Sequence, residues 1–205
     1  MAIIGEELAR QGITLPPENE AVIKRVIHTT ADFDYVQNLQ FTADAVTKAV
    51  NALRAGIEIV TDTNMAKAGI NKSGLKKLGT EAHCFMADTV VAAEAKARKT
   101  TRAVVSMEKA AREHPGAILA VGNAPTALLK ICDLLQGGLR PALVIGVPVG
   151  FVNVVESKQH VFALCQKFDV PCIAAMGRKG GSNVAAAICN ALLYTAVDAL
   201  DPERR

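Results

Sequence analysis

The chain contains no tryptophan, two tyrosines and six phenylalanines in 205 residues. So few flat side chains leave little on which to stack nucleobases. A charge excess is missing as well: 23 Lys and Arg stand against 20 Asp and Glu, for a formal net charge of +3. Nucleic-acid-binding domains carry a larger, one-sided basic excess. No uninterrupted apolar run approaches the ~20 residues that a membrane-spanning helix needs. The opening Met1-Ala2-Ile3-Ile4-Gly5-Glu6-Glu7 lacks the basic and apolar regions of a secretory leader.

Several catalytic signatures are also absent. The five cysteines (Cys84, Cys132, Cys165, Cys172 and Cys189) are odd in number, form no C-x-x-C pair and sit in apolar stretches. That is the pattern of reduced, buried thiols, and it implies a cytosolic address. His83 and Cys84 are neighbours in a strand-like run and point to opposite faces, His114 precedes a proline, and His160 lies on an amphipathic helix. No histidine pair has i, i+4 spacing with an acid, so no metal site is expected. There is no G-x-G-x-x-G, no Walker loop and no G-x-S-x-G elbow.

What the chain has is a core and a rhythm. Half of its residues are apolar, enough for one domain spanning 1–205. The first part predicts a helix over 21–28 after Pro16-Pro17 and a short strand over 37–41. A helix capped by Thr42 or Asp44 then ends near Ala55-Gly56, and a strand covers 57–60. Asp62 opens a further helix, followed by a basic turn over 72–77 and a strand over 80–85. Residues 88–113 read as helical with a break near Thr100-Thr101, and a frayed tail is expected over 201–205.

From residue 117 onward strands and helices alternate: 117–121, 124–136, 142–145, 155–167, 172–175, 182–197. Short apolar strands joined by helices of that length are βαβ units. The fold class is therefore α/β, a mostly parallel sheet flanked by helices in a three-layer sandwich.

Each of those three strands runs into a small-residue loop at a helix start: Gly122-Asn123-Ala124-Pro125-Thr126, Gly146 to Gly150 followed by Asn153 and Ser157, and Gly177 to Asn183. Right-handed crossovers put all three along the carboxyl ends of the strands, where α/β folds hold ligands. Helix amino termini there offer free N–H groups and a positive dipole end, so the expected ligand is anionic. Asn123, Thr126, Gly150, Arg178, Lys179, Gly180, Ser182 and Asn183 are the candidate contacts. Arg178 and Lys179 also fit a solvated turn, but Gly180-Gly181 beside them permits close approach of backbone to a ligand.

His28, at the carboxyl end of its helix, reads either as a favourable dipole partner or as a general acid. Arg25, one turn earlier, and Thr29 are placed to bind an acidic group beside it. Arg102, which ends the 96–102 basic run beside the break near Thr100-Thr101, reads either as charged helix surface or as a further carboxylate partner.

With these residues in hand, the chain resembles the precorrin-8X methylmutase family from about residue 3 to about 195. The resemblance is carried by Arg25-Val26-Ile27-His28, by Asp62 with Met65, Ala66 and Gly69, and by Thr101-Arg102. It continues through Gly122-Asn123-Ala124-Pro125-Thr126-Ala127-Leu128, Gly146-Val147-Pro148-Val149-Gly150-Phe151-Val152, Glu156-Ser157-Lys158 and Gly177-Arg178-Lys179-Gly180-Gly181-Ser182. It implies an isomerase that moves a methyl group from carbon 11 to carbon 12 of an acidic tetrapyrrole, precorrin-8X or its cobalt form. The product would be hydrogenobyrinic or cobyrinic acid. It also implies a homodimer with no cofactor, with His28 as proton donor and acceptor and Arg25 and Arg102 as substrate contacts. The resemblance also implies that family chains usually carry an additional amino-terminal segment before the stretch matching Ala2–Ile4, so contacts from that segment are expected to be missing or replaced here. A non-catalytic carrier of the same acidic macrocycle would share the arginines and loops without needing His28.

Overall fold

The computed structural model describes residues 1–197; the tail expected to fray over 201–205 lies outside them. In chain order the elements are α1 (Ala2–Arg10), α2 (Pro17–Thr30), α3 (Tyr35–Asn38), β1 (Leu39–Phe41), α4 (Ala45–Arg54), β2 (Ile59–Thr61), α5 (Asn64–Gly69), α6 (Lys72–Leu78) and β3 (Ala82–His83). They continue with α7 (Thr89–Ala97), α8 (Arg102–Glu113), β4 (Ile118–Val121), α9 (Pro125–Gln136), β5 (Leu143–Gly146), α10 (Val154–Lys167), β6 (Cys172–Ala175) and α11 (Ser182–Ala196).

The six strands form one sheet in the order β1-β6-β5-β4-β2-β3. Every pairing is parallel except that of the edge strand β1, which runs antiparallel to β6. Succession changes direction at the β2–β4 pair: β3 follows β2 to one side, while β4, β5 and β6 step outward on the other. This is the topological switch point of the sheet.

The strands alternate faces with period two, and both faces are covered. Ile59, Ile118, Ala120, Leu143, Ile145, Ile173 and Ala175 pack with α2, α4 and α11. Val60, Leu119, Val121, Val144, Cys172 and Ala174 pack with α8, α9 and α10. Near-continuous apolar strands follow from burial on both sides, and the three-layer architecture expected from the sequence is the one found.

The first half departs from expectation in four places. Residues 37–41 split into the one-turn α3 and the three-residue β1. Residues 72–77 are the helix α6 and not a turn: Asn71 caps it through a 2.6 Å bond from Gly74 N–H to its Oδ1, and Gly79 closes it at φ 62°. The strand over 80–85 shrinks to Ala82–His83. Asp62 does not open α5; Thr63 does, its Oγ1 accepting from Ala66 N–H at 3.1 Å.

Candidate active site

The three βα loops lie side by side because β4, β5 and β6 are adjacent and parallel. Their contact is close. A Cβ on Gly122 would stand 2.7 Å from Ser182 Cα, and one on Gly180 would stand 2.2 Å from the Val147 carbonyl oxygen. Gly181 N–H donates to that same Val147 oxygen at 2.9 Å. Gly180 is therefore required for loop-on-loop packing, which corrects its expected role as an opening for ligand. Gly150 adopts φ 151° at the turn into α10, a conformation that favours glycine.

Asp62 organises the switch point, and its role was missed in the sequence. It is fully buried, and its carboxylate accepts from the backbone N–H groups of Gly122, Asn123 and Ala124, each at 2.8 Å. Burial pushes this carboxyl above the ordinary range against the pull of those three donors. The anion on the first loop's amides is thus the chain's own. The N–H groups of Gly122, Asn123 and Ala124, reserved for a ligand on sequence grounds, are spent on holding that loop to β2. The signal was an acid ending the 57–60 apolar run.

Lys158 plays the matching part for the third loop. Fully buried on α10, it donates through Nζ to the carbonyls of Gly177 at 2.9 Å and Lys179 at 2.8 Å. Burial pulls its ammonium down to about 8. Its place in the Glu156-Ser157-Lys158 run did not mark it as a positioning residue, because only tertiary structure supplies its acceptors.

Several predicted contacts are already engaged within the protein. Lys179 Nζ binds Asp32 Oδ2 and Asp34 Oδ2, each at 2.6 Å, which raises the ammonium and lowers the Asp32 carboxyl. It therefore ties the loop after His28 to the loop after β6 and is not the free cation expected. Ser182 Oγ pairs with Thr63 Oγ1 at 2.8 Å, Thr126 Oγ1 with Thr101 Oγ1 at 3.2 Å, and Thr29 Oγ1 donates to Arg25 carbonyl oxygen at 3.0 Å. Arg25 Nη2 donates to Tyr194 Oη at 3.3 Å and its guanidinium lies 4.9 Å from that ring's centroid.

The side chains left facing outward are His28, Asn123, Arg178, Asn183 and Arg102. Arg102, the first residue of α8, donates to Met86 carbonyl oxygen at 3.3 Å. Arg178 lies 5.5 Å from the centroid of Phe151, itself 83% exposed. His28, in the last turn of α2, lines a hollow of about 550 Å³ with Ile3, Ile4, Ile27 and Phe33. The α1 wall of that hollow was not foreseen in the sequence. A larger cavity, about 810 Å³ beside α5 and α6, contains none of the predicted residues.

The thiols follow expectation with one exception. Cys132, Cys165, Cys172 and Cys189 are buried and unpaired, with burial pushing Cys132 and Cys189 up to about 12, while Cys84 is only half buried.

Fold and site together define a doubly wound α/β protein whose polar loops gather at the carboxyl edge of a parallel sheet. A model of the precorrin-8X methylmutase family matches residues 1–195. A cobalt-precorrin-8 methylmutase from Salmonella typhimurium is 49% identical over 179 residues, covering 87% of this chain and 82% of that protein. One from Priestia megaterium is 43% identical over 191 residues, covering 93% and 82%. The crystal structure of a precorrin-8X methylmutase from Thermus thermophilus superposes with a TM-score of 0.83 at 36% identity, covering 97% of this chain and 99% of that one. The chain belongs to the precorrin-8X methylmutase family.

Proposed function

We propose that this chain is an isomerase that shifts a methyl group from carbon 11 to carbon 12 of an acidic corrin precursor. It would give cobyrinic acid from cobalt-precorrin-8, or hydrogenobyrinic acid from the metal-free precorrin-8X. The cobalt form is the first substrate to test, since relatives at 49% and 43% identity bear that name. Among the described residues no helix is long and apolar enough to cross a membrane, and the enzyme acts in the cytoplasm as a homodimer. The exposed Phe151 (83%) and Val152 (75%) are suited to cover a partner copy or a macrocycle face.

The observation that carries this reading is the Lys179 tie to Asp32 and Asp34. It joins the segment bearing His28 to the loop bearing Arg178, so an exposed imidazole and a guanidinium share one rim. A methyl shift within one molecule needs little covalent help from the protein. His28 supplies the proton that biases the conjugated ring toward rearrangement, and takes it back afterwards. Arg178, Arg102 and Arg25 pair with peripheral carboxylates, bidentately where geometry permits, while Asn123 and Asn183 serve the remaining oxygens. The Ile3, Ile4, Ile27 and Phe33 side chains give the exposed His28 an apolar flank suited to a macrocycle face.

The test is the visible spectrum of each substrate mixed with wild type and with His28→Ala. Conversion by wild type alone, with the variant still perturbing the substrate spectrum, supports the assignment. Conversion by His28→Ala at the wild-type rate removes His28 from the chemistry. A binding spectrum without conversion by wild type, for both substrates, indicates a carrier.

A further inference from the structure

At the amino-terminal ends of β2 and β4, away from the loops described above, three segments remote in sequence converge. Glu58 immediately precedes β2, His83 ends β3, and His114 caps α8 before β4. His83 Nε2 meets Glu58 Oε1 at 3.1 Å and His114 Nδ1 meets Glu58 Oε2. One ligand atom from each of the three lies within 4.8 Å of the others. The two imidazoles stack at 4.5 Å between centroids with 22° between planes, and Phe85 stacks 5.8 Å behind His114. The rings are thereby held with a nitrogen of each directed at one carboxylate.

The histidines were set aside on sequence grounds because no local spacing joins them. The sheet supplies what spacing lacks: β2 and β3 pair with Val60 opposite His83, so Glu58, two residues before Val60, shares its face with His83. The side chains are 37%, 23% and 18% exposed for Glu58, His83 and His114, sheltered yet reachable. Glu58 and His114 also line a cavity of about 420 Å³ whose walls include Glu81 and Glu113. The proposed methyl transfer uses none of these groups.

We propose that Glu58, His83 and His114 form a binding site for a divalent transition ion of the zinc class, with a fourth position open to that cavity. Two imidazoles and a carboxylate are a borderline donor set that suits Zn²⁺, Co²⁺ or Ni²⁺, whereas Mg²⁺ and Ca²⁺ prefer all-oxygen sets. The ion takes the place of the protons shared between Glu58 and the two rings. It cross-links β2, β3 and the α8–β4 turn, so it favours the folded chain by mass action.

The experiment is calorimetric titration of the full chain with zinc chloride alone, beside His83→Gln, His114→Gln and the exposed-residue control His160→Gln, each checked for folding by circular dichroism. The expected result is one ion per chain with micromolar or tighter affinity in wild type and His160→Gln. Each of the other variants weakens it by about tenfold or more. Wild type loaded with cobalt(II) in the absence of substrate should display ligand-field bands without near-ultraviolet thiolate charge transfer, a readout that needs no variant to fold. Binding unchanged in both ligand variants, no stoichiometric binding by wild type, or a thiolate band placing the ion on a cysteine such as Cys84 would each overturn the proposal.

Discussion

The Nζ of Lys158 lies 2.9 Å from the carbonyl oxygen of Gly177, a buried cation pinning the start of a loop whose next residue is Arg178. Lys158→Met keeps the apolar stem and removes the donor, leaving two backbone carbonyls unsatisfied. The expected cost is ~2–4 kcal/mol in urea unfolding. In the folded fraction the loop loses definition, so KM for the acidic substrate should rise more than kcat falls. An unchanged KM would mean that Arg178 takes its position without this anchor.

Asp62→Asn tests the internal anion at the switch point. An amide keeps one acceptor oxygen and turns an N–H₂ group toward the backbone N–H groups of Gly122, Asn123 and Ala124 that the carboxylate satisfied. The variant should lose ~2–3 kcal/mol of stability. Backbone amide exchange at residues 122–124 should speed up relative to β4, the specific sign that this loop and not the global fold has loosened.

Gly180→Ala places a methyl group where the Val147 carbonyl oxygen already stands, 2.2 Å away. Overpacking against backbone costs ~1–3 kcal/mol or more. Gly116→Ala, where a Cβ meets nothing within 4 Å, is the matched control and should be close to neutral. Thermal unfolding of the pair measures the difference directly.

The Lys179–Asp32 contact gives an acid-side prediction. The bond from Lys179 lowers the Asp32 carboxyl in the folded chain, so its stabilisation is fully present above the ordinary carboxylate value near 3.9. It is lost as pH falls through the lower folded value. The pair is largely exposed to solvent, which keeps its contribution small. Asp32→Asn should therefore unfold more easily than wild type at pH 7, with the two curves converging as pH falls below the ordinary carboxylate value and through the lower folded one. Divergence that grows on acidification would reverse the assignment.

Much of the carboxyl-terminal half was legible from residues alone. From Ala117 on, apolar runs long enough for buried strands alternate with helix-length segments, and Gly122, Gly146 and Gly177 mark the turns between them. Local pattern and tertiary fold agree there. The amino-terminal half mixes short elements whose signals conflict: Lys72 to Lys77 looks like a charged turn, although Asn71 and Gly79 flank it as cap residues.

The site divided along the same line. His28 and Arg178 were singled out as polar groups at a helix end and in a loop after a strand, and the fold leaves both facing outward. The partners of Asp62, Lys158, Glu58 and Lys179 were not, because each is met across 60 residues, or across 19 to 21, or across 25 and 56, or across 145 and 147. No periodicity encodes such pairs; they exist only once the sheet order is known.

That order also sets a timetable for synthesis. β1, the only strand before residue 59 among those described, pairs with β6, and Arg25 reaches Tyr194 on α11. The helix bearing His28 is therefore translated well before β6 and α11, the elements that make much of its seat. Until then its apolar face has only temporary partners, and loop closure over this distance is the slow, non-local kind. Protection of α2 in stalled nascent chains should appear only after α11 has emerged, so a prematurely terminated chain lacking α11 would carry every residue of the amino-terminal half and still have no place to seat the helix that bears His28.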